Sequence, residues 1–218
     1  MTVLQAPQHQ MRQCGCCGFR FPTLAADPRG DRCPRCGAET FMPVNPHVSH
    51  EVLKRGDPAA GPEVVGLLDN IRSVFNVGSM FRTADGAGIR CMHLCGITPT
   101  PENPKLGKTA LGAELEVPWE KSADGVAAAI RLKQQGLRLW ALEGGPQRRS
   151  LFATDPKERR GPLALVVGNE VSGVDPDILR HCDGVFYIPM QGSKGSLNVA
   201  VAFGVAAYFL RFALRTQD

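Results

Sequence analysis

Between Val64 and Phe212 short apolar runs alternate with stretches of helical periodicity, and this alternation restricts the possible fold more than any other feature. Apolar runs at Val64–Leu68, Arg90–Cys95, Arg138–Leu142, Leu163–Val167 and Val185–Ile188 have the length of strands. Helical patterns occupy about Val77–Ala87, Ala123–Gln135, Pro176–His181 and Leu197–Phe212. Strands separated by helices of this length predict an α/β domain with a mainly parallel sheet, because parallel neighbours need a crossover and a helix supplies it. In such sheets ligands bind beyond the carboxyl ends of the strands.

Three loops stand out by that rule. Asp69 to Ser79 follows the first run and leads into a helix carrying Arg82. Gly168-Asn169-Glu170-Val171-Ser172-Gly173 follows Val167, and Pro189 to Asn198 follows Ile188. Each is polar or glycine-rich, and all three are expected to converge on one sheet edge.

Composition narrows the function classes. The chain has 218 residues, 43% of them hydrophobic, which suffices for one ordinary domain with a small appendage. The apolar helix pattern Val199–Leu210 is far shorter than the roughly 18 residues that argue for a membrane span. The start of the chain lacks the basic and apolar segments of a secretion signal, so a cytoplasmic location is expected. A net charge of +4 is compatible with a polyanionic partner but does not by itself require one.

Five of the eight cysteines precede residue 37, and four form two pairs, Cys14 with Cys17 and Cys33 with Cys36. A glycine follows each pair (Gly18, Gly37), allowing the tight turn that brings backbone amides to thiolate sulfur. Two such turns supply four soft ligands in tetrahedral array, which suits structural Zn²⁺. Residues 1–42 are therefore read as a zinc ribbon with an N-terminal tail, the Pro- and Gly-rich residues 43–62 as a linker, and 63–218 as the main domain. Cys16 is an alternative ligand to Cys14 or Cys17, and a disulfide set is the alternative to metal. Cys91, Cys95 and Cys182 lie in apolar surroundings and are read as core residues. A closed four-cysteine site has no open coordination position, so its metal holds structure. RNA is a candidate contact for the ribbon, given Arg12, Arg20, Arg29, Arg32 and Arg35.

The three loops resemble the SpoU/TrmH branch of the SPOUT methyltransferases. The resemblance rests on Asn70-Ile71-Arg72-Ser73 with Asn76-Val77-Gly78 and Phe81-Arg82-Thr83-Ala84, on Val167-Gly168-Asn169-Glu170, and on Ile188-Pro189-Met190 with Ser196-Leu197-Asn198-Val199. These stretches occur in the family's order, and the resemblance covers about residues 63 to 213. It implies a sheet with a C-terminal trefoil knot that binds S-adenosylmethionine, and a homodimer with the active site near the subunit interface. The Leu197–Phe212 helix is then the dimer-packing element. The implied reaction is 2′-O-ribose methylation of tRNA or rRNA. The ribbon lies outside this common core. Gly86-Ala87-Gly88 departs from the family, which often has a phenylalanine before the glycine.

Carried over by motif, the resemblance implies Asn76, Arg82, Glu170, Ser196 and Asn198 as catalytic residues. It implies Leu142, Val167, Gly168, Ile188, Met190, Ser196 and Leu197 around the cofactor. Methyl transfer to a ribose oxygen is an in-line displacement governed by position. Arg82 is expected on the second turn of its helix, where its guanidinium can clamp a phosphate and stabilise the developing alkoxide. The helix N-terminus near Val77 and Gly78 is expected to favour the same anion. Duller roles exist for each: Arg82 as a solvated arginine, Asn76 and Ser196 as helix N-caps, Glu170 as a turn carboxylate. Asn198 is expected to be buried on the apolar helix face. The rival functions are a non-catalytic SPOUT-like RNA-binding protein and a zinc-ribbon regulator or DNA-binding module with an α/β partner domain.

Overall fold

The computed structural model describes residues 9–25, 27–45, 62–145 and 148–213, in two compact units divided between residues 55 and 56. The expected linker falls outside the described residues except at 43–45 and 62.

The first unit is a three-stranded antiparallel sheet, β1 (His9–Cys14), β2 (Arg20–Leu24) and β3 (Thr40–Phe41), in the order β2-β1-β3. Side chains alternate across it: Gln10 and Cys14 are buried, while His9, Arg20, Pro22, Leu24 and Phe41 are exposed on the opposite face. Among the described residues of this unit the buried apolar side chains are Cys14 and Cys33. The described residues of this unit form no independent hydrophobic core.

The second unit holds β4 (Val64–Asp69), α1 (Val74–Ala87), β5 (Met92–Cys95), the short helices α2 (Gly107–Ala110) and α3 (Ala113–Glu116), and β6 (Trp119–Ser122). It continues with α4 (Gly125–Gln134), β7 (Arg138–Leu142), β8 (Arg149–Ser150), β9 (Leu163–Val167), α5 (Pro176–His181), β10 (Gly184–Tyr187) and α6 (Val199–Phe212). Its seven strands form one sheet in the order β6-β5-β4-β9-β7-β10-β8, and every paired neighbour is parallel. The parallel sheet expected from the alternating pattern is therefore present. β6 and β8, unannounced by any long apolar run, close its two edges.

Both sheet faces are covered. Along β9, Leu163, Leu165 and Val167 join Met80, Phe81, Phe203 and Leu210 in one core, beneath α1 and α6. Ala164 and Val166 join Ala128, Ala129, Leu132 and Ile178 in the other, beneath α4 and α5. This two-sided burial explains why the central strands read as continuous apolar runs.

Two helices begin elsewhere than expected. α1 starts at Val74, because Ser73 caps it by accepting the Asn76 amide at 3.3 Å. Asn76 thus lies in the first turn and is not the cap, and Arg82 lies on the third turn. α6 starts at Val199, where Asn198 is the cap and accepts from the amides of Ala200 (2.9 Å) and Val201 (3.4 Å). The cap is therefore Asn198, not Ser196, and Asn198 is exposed where burial was expected. At Gly86, the departure from the family pattern, a Cβ would meet the Tyr208 hydroxyl at 2.6 Å, so α6 occupies that space.

Candidate active site and metal centre

Parallel pairing points the carboxyl ends of β4, β9, β7 and β10, four adjacent strands, to one side. A cavity of about 560 Å³ opens there. Its walls include Leu142, Val167, Gly168, Ile188, Met190, Ser196 and Leu197, all seven of the expected cofactor residues. Glu143, Asn169, Glu170, Tyr187, Ser196 and Asn198 supply its polar lining, and among the described residues no lysine or arginine contributes. A phosphate-bearing nucleotide would meet carboxylates in this cavity. A donor that carries a sulfonium and an ammonium instead finds complementary charge among apolar walls. The size is also that of ordinary small-molecule sites. The residues present fit S-adenosylmethionine.

The floor depends on one close backbone approach. The amide of Asn169 donates to the Gly173 carbonyl at 3.0 Å and the amide of Gly173 to the Asn169 carbonyl at 2.9 Å, folding residues 168–173 onto themselves. A Cβ on Gly168 would lie 2.2 Å from Gly173 C and Val174 N, so only glycine fits.

Glu170 extends from this loop to the start of α1. Its carboxylate accepts from the amides of Arg72 (2.9 Å) and Ser73 (3.1 Å) and from Asn76 Nδ2 (2.9 Å). Asn198 Nδ2 donates to Asn76 Oδ1 at 3.2 Å. Three loops far apart in sequence are thereby joined through Glu170, Asn76 and Asn198. Partial burial pulls the Glu170 carboxyl upward, but the hydrogen bonds from Arg72, Asn76, its own amide and Ser73 outweigh this and hold it below the usual range. The anion at the α1 N-terminus is consequently the chain's own Glu170. Val77 N donates within the helix, to the Ser73 carbonyl at 3.1 Å, so the expected anion site at Val77 and Gly78 does not form.

Arg82 does not join this group within one copy of the chain. Six helical residues place it roughly 120° round the axis from Asn76 and about 9 Å along it. It is exposed beside a second cavity, with Ser79, Lys108, Thr109 and Tyr208.

In the first unit the four paired cysteines converge. Cys14 and Cys36 sulfurs are 3.5 Å apart, Cys17 and Cys36 3.5 Å, and Cys17 and Cys33 3.7 Å. These separations are too long for disulfides and close to the edge, about 3.8 Å, of a tetrahedron with ~2.3 Å zinc–sulfur bonds. The two turns match: Gly18 N donates to Cys14 O and Gly37 N to Cys33 O, both glycines at positive φ. Hydrogen bonds from the Cys17 and Cys16 amides lower the Cys14 thiol to about 6. The Cys16 sulfur lies outside the four-sulfur group. Cys95 is buried, and Cys91 and Cys182 pack against the α4–α5 core.

The model of the SpoU rRNA methylase family matches residues 63–208. The chain belongs to this family. Among SpoU relatives, the 23S rRNA (guanosine-2′-O-)-methyltransferase RlmB of Xanthomonas axonopodis pv. citri is 31% identical over 203 residues, covering 92% of this chain and 80% of the relative. Two solved SpoU structures superpose on 70% of this chain. The A. aeolicus TrmH/SpoU tRNA modifying enzyme has a TM-score of 0.60 and 28% identity, covering 70% of this chain and 75% of its own. The SpoU methyltransferase AviRb from Streptomyces viridochromogenes, solved in complex with the cofactor AdoMet, has a TM-score of 0.60 and 25% identity, covering 70% and 61%.

Two further residues of this SpoU site were given no role by the sequence reading, although Asn169 stands in its second motif. Asn169 donates from Nδ2 to the Asn70 carbonyl at 2.8 Å and accepts the Val171 and Ser172 amides on Oδ1, latching the glycine loop to the end of β4. Glu143, the residue after β7, accepts the Val174 amide at 2.8 Å and faces the cavity. A polar residue directly after an apolar strand and before Gly144-Gly145 was a usable signal for Glu143.

Proposed function

We propose that this protein methylates the 2′-hydroxyl of a ribose in ribosomal RNA, with S-adenosylmethionine as donor, and acts in the cytoplasm as a homodimer. The observation that carries the reading is the cavity at the shared strand ends, lined by carboxylates and, among the described residues, free of basic side chains, with the Asn76–Glu170–Asn198 network on its rim. The bound donor supplies an electrophilic methyl carbon. Leu142, Val167, Gly168, Ile188, Met190, Ser196 and Leu197 hold it. Glu170 stays ionised and fully engaged in hydrogen bonds, which makes it a positioning residue that fixes Asn76 and, through it, Asn198. Ribosomal RNA is preferred to tRNA because RlmB aligns with 92% of the chain.

The homodimer is supported by α6. Val201, Val205, Tyr208 and Phe212 follow the i, i+4, i+7, i+11 spacing of one helical stripe, and Val201 and Tyr208 are 51% and 47% exposed. Tyr208 also lines the Arg82 cavity, so pairing through α6 brings Arg82 to an interface. There Arg82 clamps the phosphate beside the target ribose and stabilises the developing alkoxide. The position of β9 between β4 and β7 supports the trefoil knot that the family resemblance implies. Residues 1–42 serve as a zinc ribbon whose Cys14, Cys17, Cys33 and Cys36 hold a structural Zn²⁺, 43–62 as a linker and 63–218 as the methyltransferase domain.

Mapping ribose methylation in RNA from a deletion strain tests the whole reading: one 23S site is expected to lose its methyl group and regain it on complementation. A lost tRNA site would instead assign the tRNA substrate. Calorimetry that detects no S-adenosylmethionine binding would reject methyl transfer outright. Arg82→Lys is expected to lower the rate at least about a hundredfold with donor affinity unchanged; an unchanged rate would remove Arg82 from the chemistry.

A further inference from the structure

Among the described residues, the outer face of the ribbon sheet carries no buried side chain. Register fixes its layout: Gln13 on β1 lies opposite Arg20 on β2 and Phe41 on β3, so these three form one row across the sheet. The next row holds Pro22 and Met11 and the one after it Leu24 and His9. The inner face is committed, with Cys14 at the four-sulfur centre and Arg12 Nε on the Gly30 carbonyl at 3.1 Å and Thr40 Oγ1 at 3.0 Å. The outer face instead leaves Phe41 49% exposed and Arg20 open to solvent.

Charge selects the occupant. Residues 9–45 contain five arginines and three carboxylates. Each carboxylate is already matched by an arginine: Asp31 by Arg12, Asp27 by Arg29 and Glu39 by Arg32. Arg20 and Arg35 have no ion pair among the described residues; four thiolates on Zn²⁺ carry a formal −2 that balances the unit as a whole, but that centre lies on the inner face, so the charge presented by the outer face is that of Arg20. An apolar partner helix would strand Arg20 and Gln13 against hydrocarbon. A single nucleic acid strand satisfies the whole row, since a base stacks on Phe41, its polar edge meets Gln13, and a phosphate reaches Arg20. Two inter-strand spacings, roughly 10 Å, separate the Phe41 and Arg20 backbones, which is within reach of neighbouring groups of one strand.

We propose that the Arg20–Gln13–Phe41 row is a platform for single-stranded RNA, through which the ribbon holds substrate for the second unit. This rests on the RNA-methylating reading given above and adds the element that captures the strand. The experiment uses the full chain with a fluorescein-labelled 12-nucleotide oligouridylate, read by anisotropy, with circular dichroism as the check on folding. Phe41→Ala is expected to weaken binding about tenfold and Arg20→Ala by several-fold, whereas Phe41→Trp retains it. Arg29→Ala removes an equal charge from the 28–31 segment on the inner side and is expected to stay within twofold of the parent. Undetectable binding by the parent, or Phe41→Ala and Arg20→Ala both within twofold of it, would overturn the platform. So would equal losses in Arg20→Ala and Arg29→Ala with Phe41→Ala unchanged, the signature of unspecific charge. S-adenosylmethionine affinity measured on the same samples separates the two readings: its absence defeats the methyltransferase, while normal donor binding beside a failed platform defeats the platform alone.

Discussion

In the second unit the central strands bury side chains on both faces, from Leu163 and Leu165 against α1 and α6 to Ala164 and Val166 against α4 and α5. Among the described residues of the first unit the buried apolar side chains are two cysteines of the four-sulfur centre. One unit is held by surface removed from water, while the described residues of the other bring four sulfur ligands together where no such core is buried. The contrast teaches that a change small in volume is felt in different currencies in the two units: in the sheet as lost packing, in the ribbon as a lost ligand.

Removing a ligand gives the largest effect. Cys33→Ser, or chelation, is expected to abolish the folding free energy that zinc supplies, on the order of 10 kcal/mol, and to melt the ribbon. The S-adenosylmethionine affinity of the second unit is expected to stay within about 0.5 kcal/mol of wild type by calorimetry. Joint loss of ribbon and cofactor binding would erase the contrast.

Paired glycine substitutions sharpen it. Gly168→Ala drives a methyl into backbone at 2.2 Å and is expected to destabilise the second unit by about 3 kcal/mol and to weaken donor binding. Gly15→Ala in the ribbon meets nothing within 4 Å and is expected to change stability by less than about 0.5 kcal/mol, both read by thermal melting.

Glu170→Gln comes next, with an expected loss of about 1 kcal/mol for this partly solvated carboxylate and a larger loss of turnover. Because the folded carboxyl sits below its ordinary value of 4.5, its contribution is fully present above pH 4.5 and lost as pH falls through the lower folded value. The variant is expected to lack that acid step in a pH series of melts. The smallest effect belongs to His93 on β5. Burial, opposed by Glu120 and assisted by Arg131, depresses its pKa below 6.5, so its contribution holds above 6.5 and declines as pH drops below it. His93→Gln is expected to flatten that decline; an unaltered slope would assign it to another group.

Much of this was legible from the residues. Arg138–Leu142 and Leu163–Val167 are strands at the expected limits, since their neighbours on both faces demand apolar side chains from Leu139 to Leu142 and from Leu163 to Val167. β6, with its sequence Trp-Glu-Lys-Ser, escaped notice because an edge strand exposes one side and needs no apolar run. The start of α1 was misplaced by three residues because Ser73, an ordinary residue in a polar loop, proved to be the cap. Asn198 was expected inside the helix face and stands instead at the cap, since periodicity shows which residues face alike but not where a helix begins. For Arg82 the sequence carried a motif, and the folded chain places it apart from Asn76.

Sequence by itself determined the apolar strands of the main sheet, its four longer helices to within a few residues, the two cysteine turns and the family, because each rests on local spacing or on short motifs read along the chain. Tertiary structure alone decided that β9 lies between β4 and β7, that Glu170 occupies the α1 N-terminus, and that Asn76 links Glu170 to Asn198. Those contacts join residues about a hundred positions apart. They depend on the order in which strands pair and on how closely Gly168 lets one loop approach another, and neither quantity is written in any local stretch of residues.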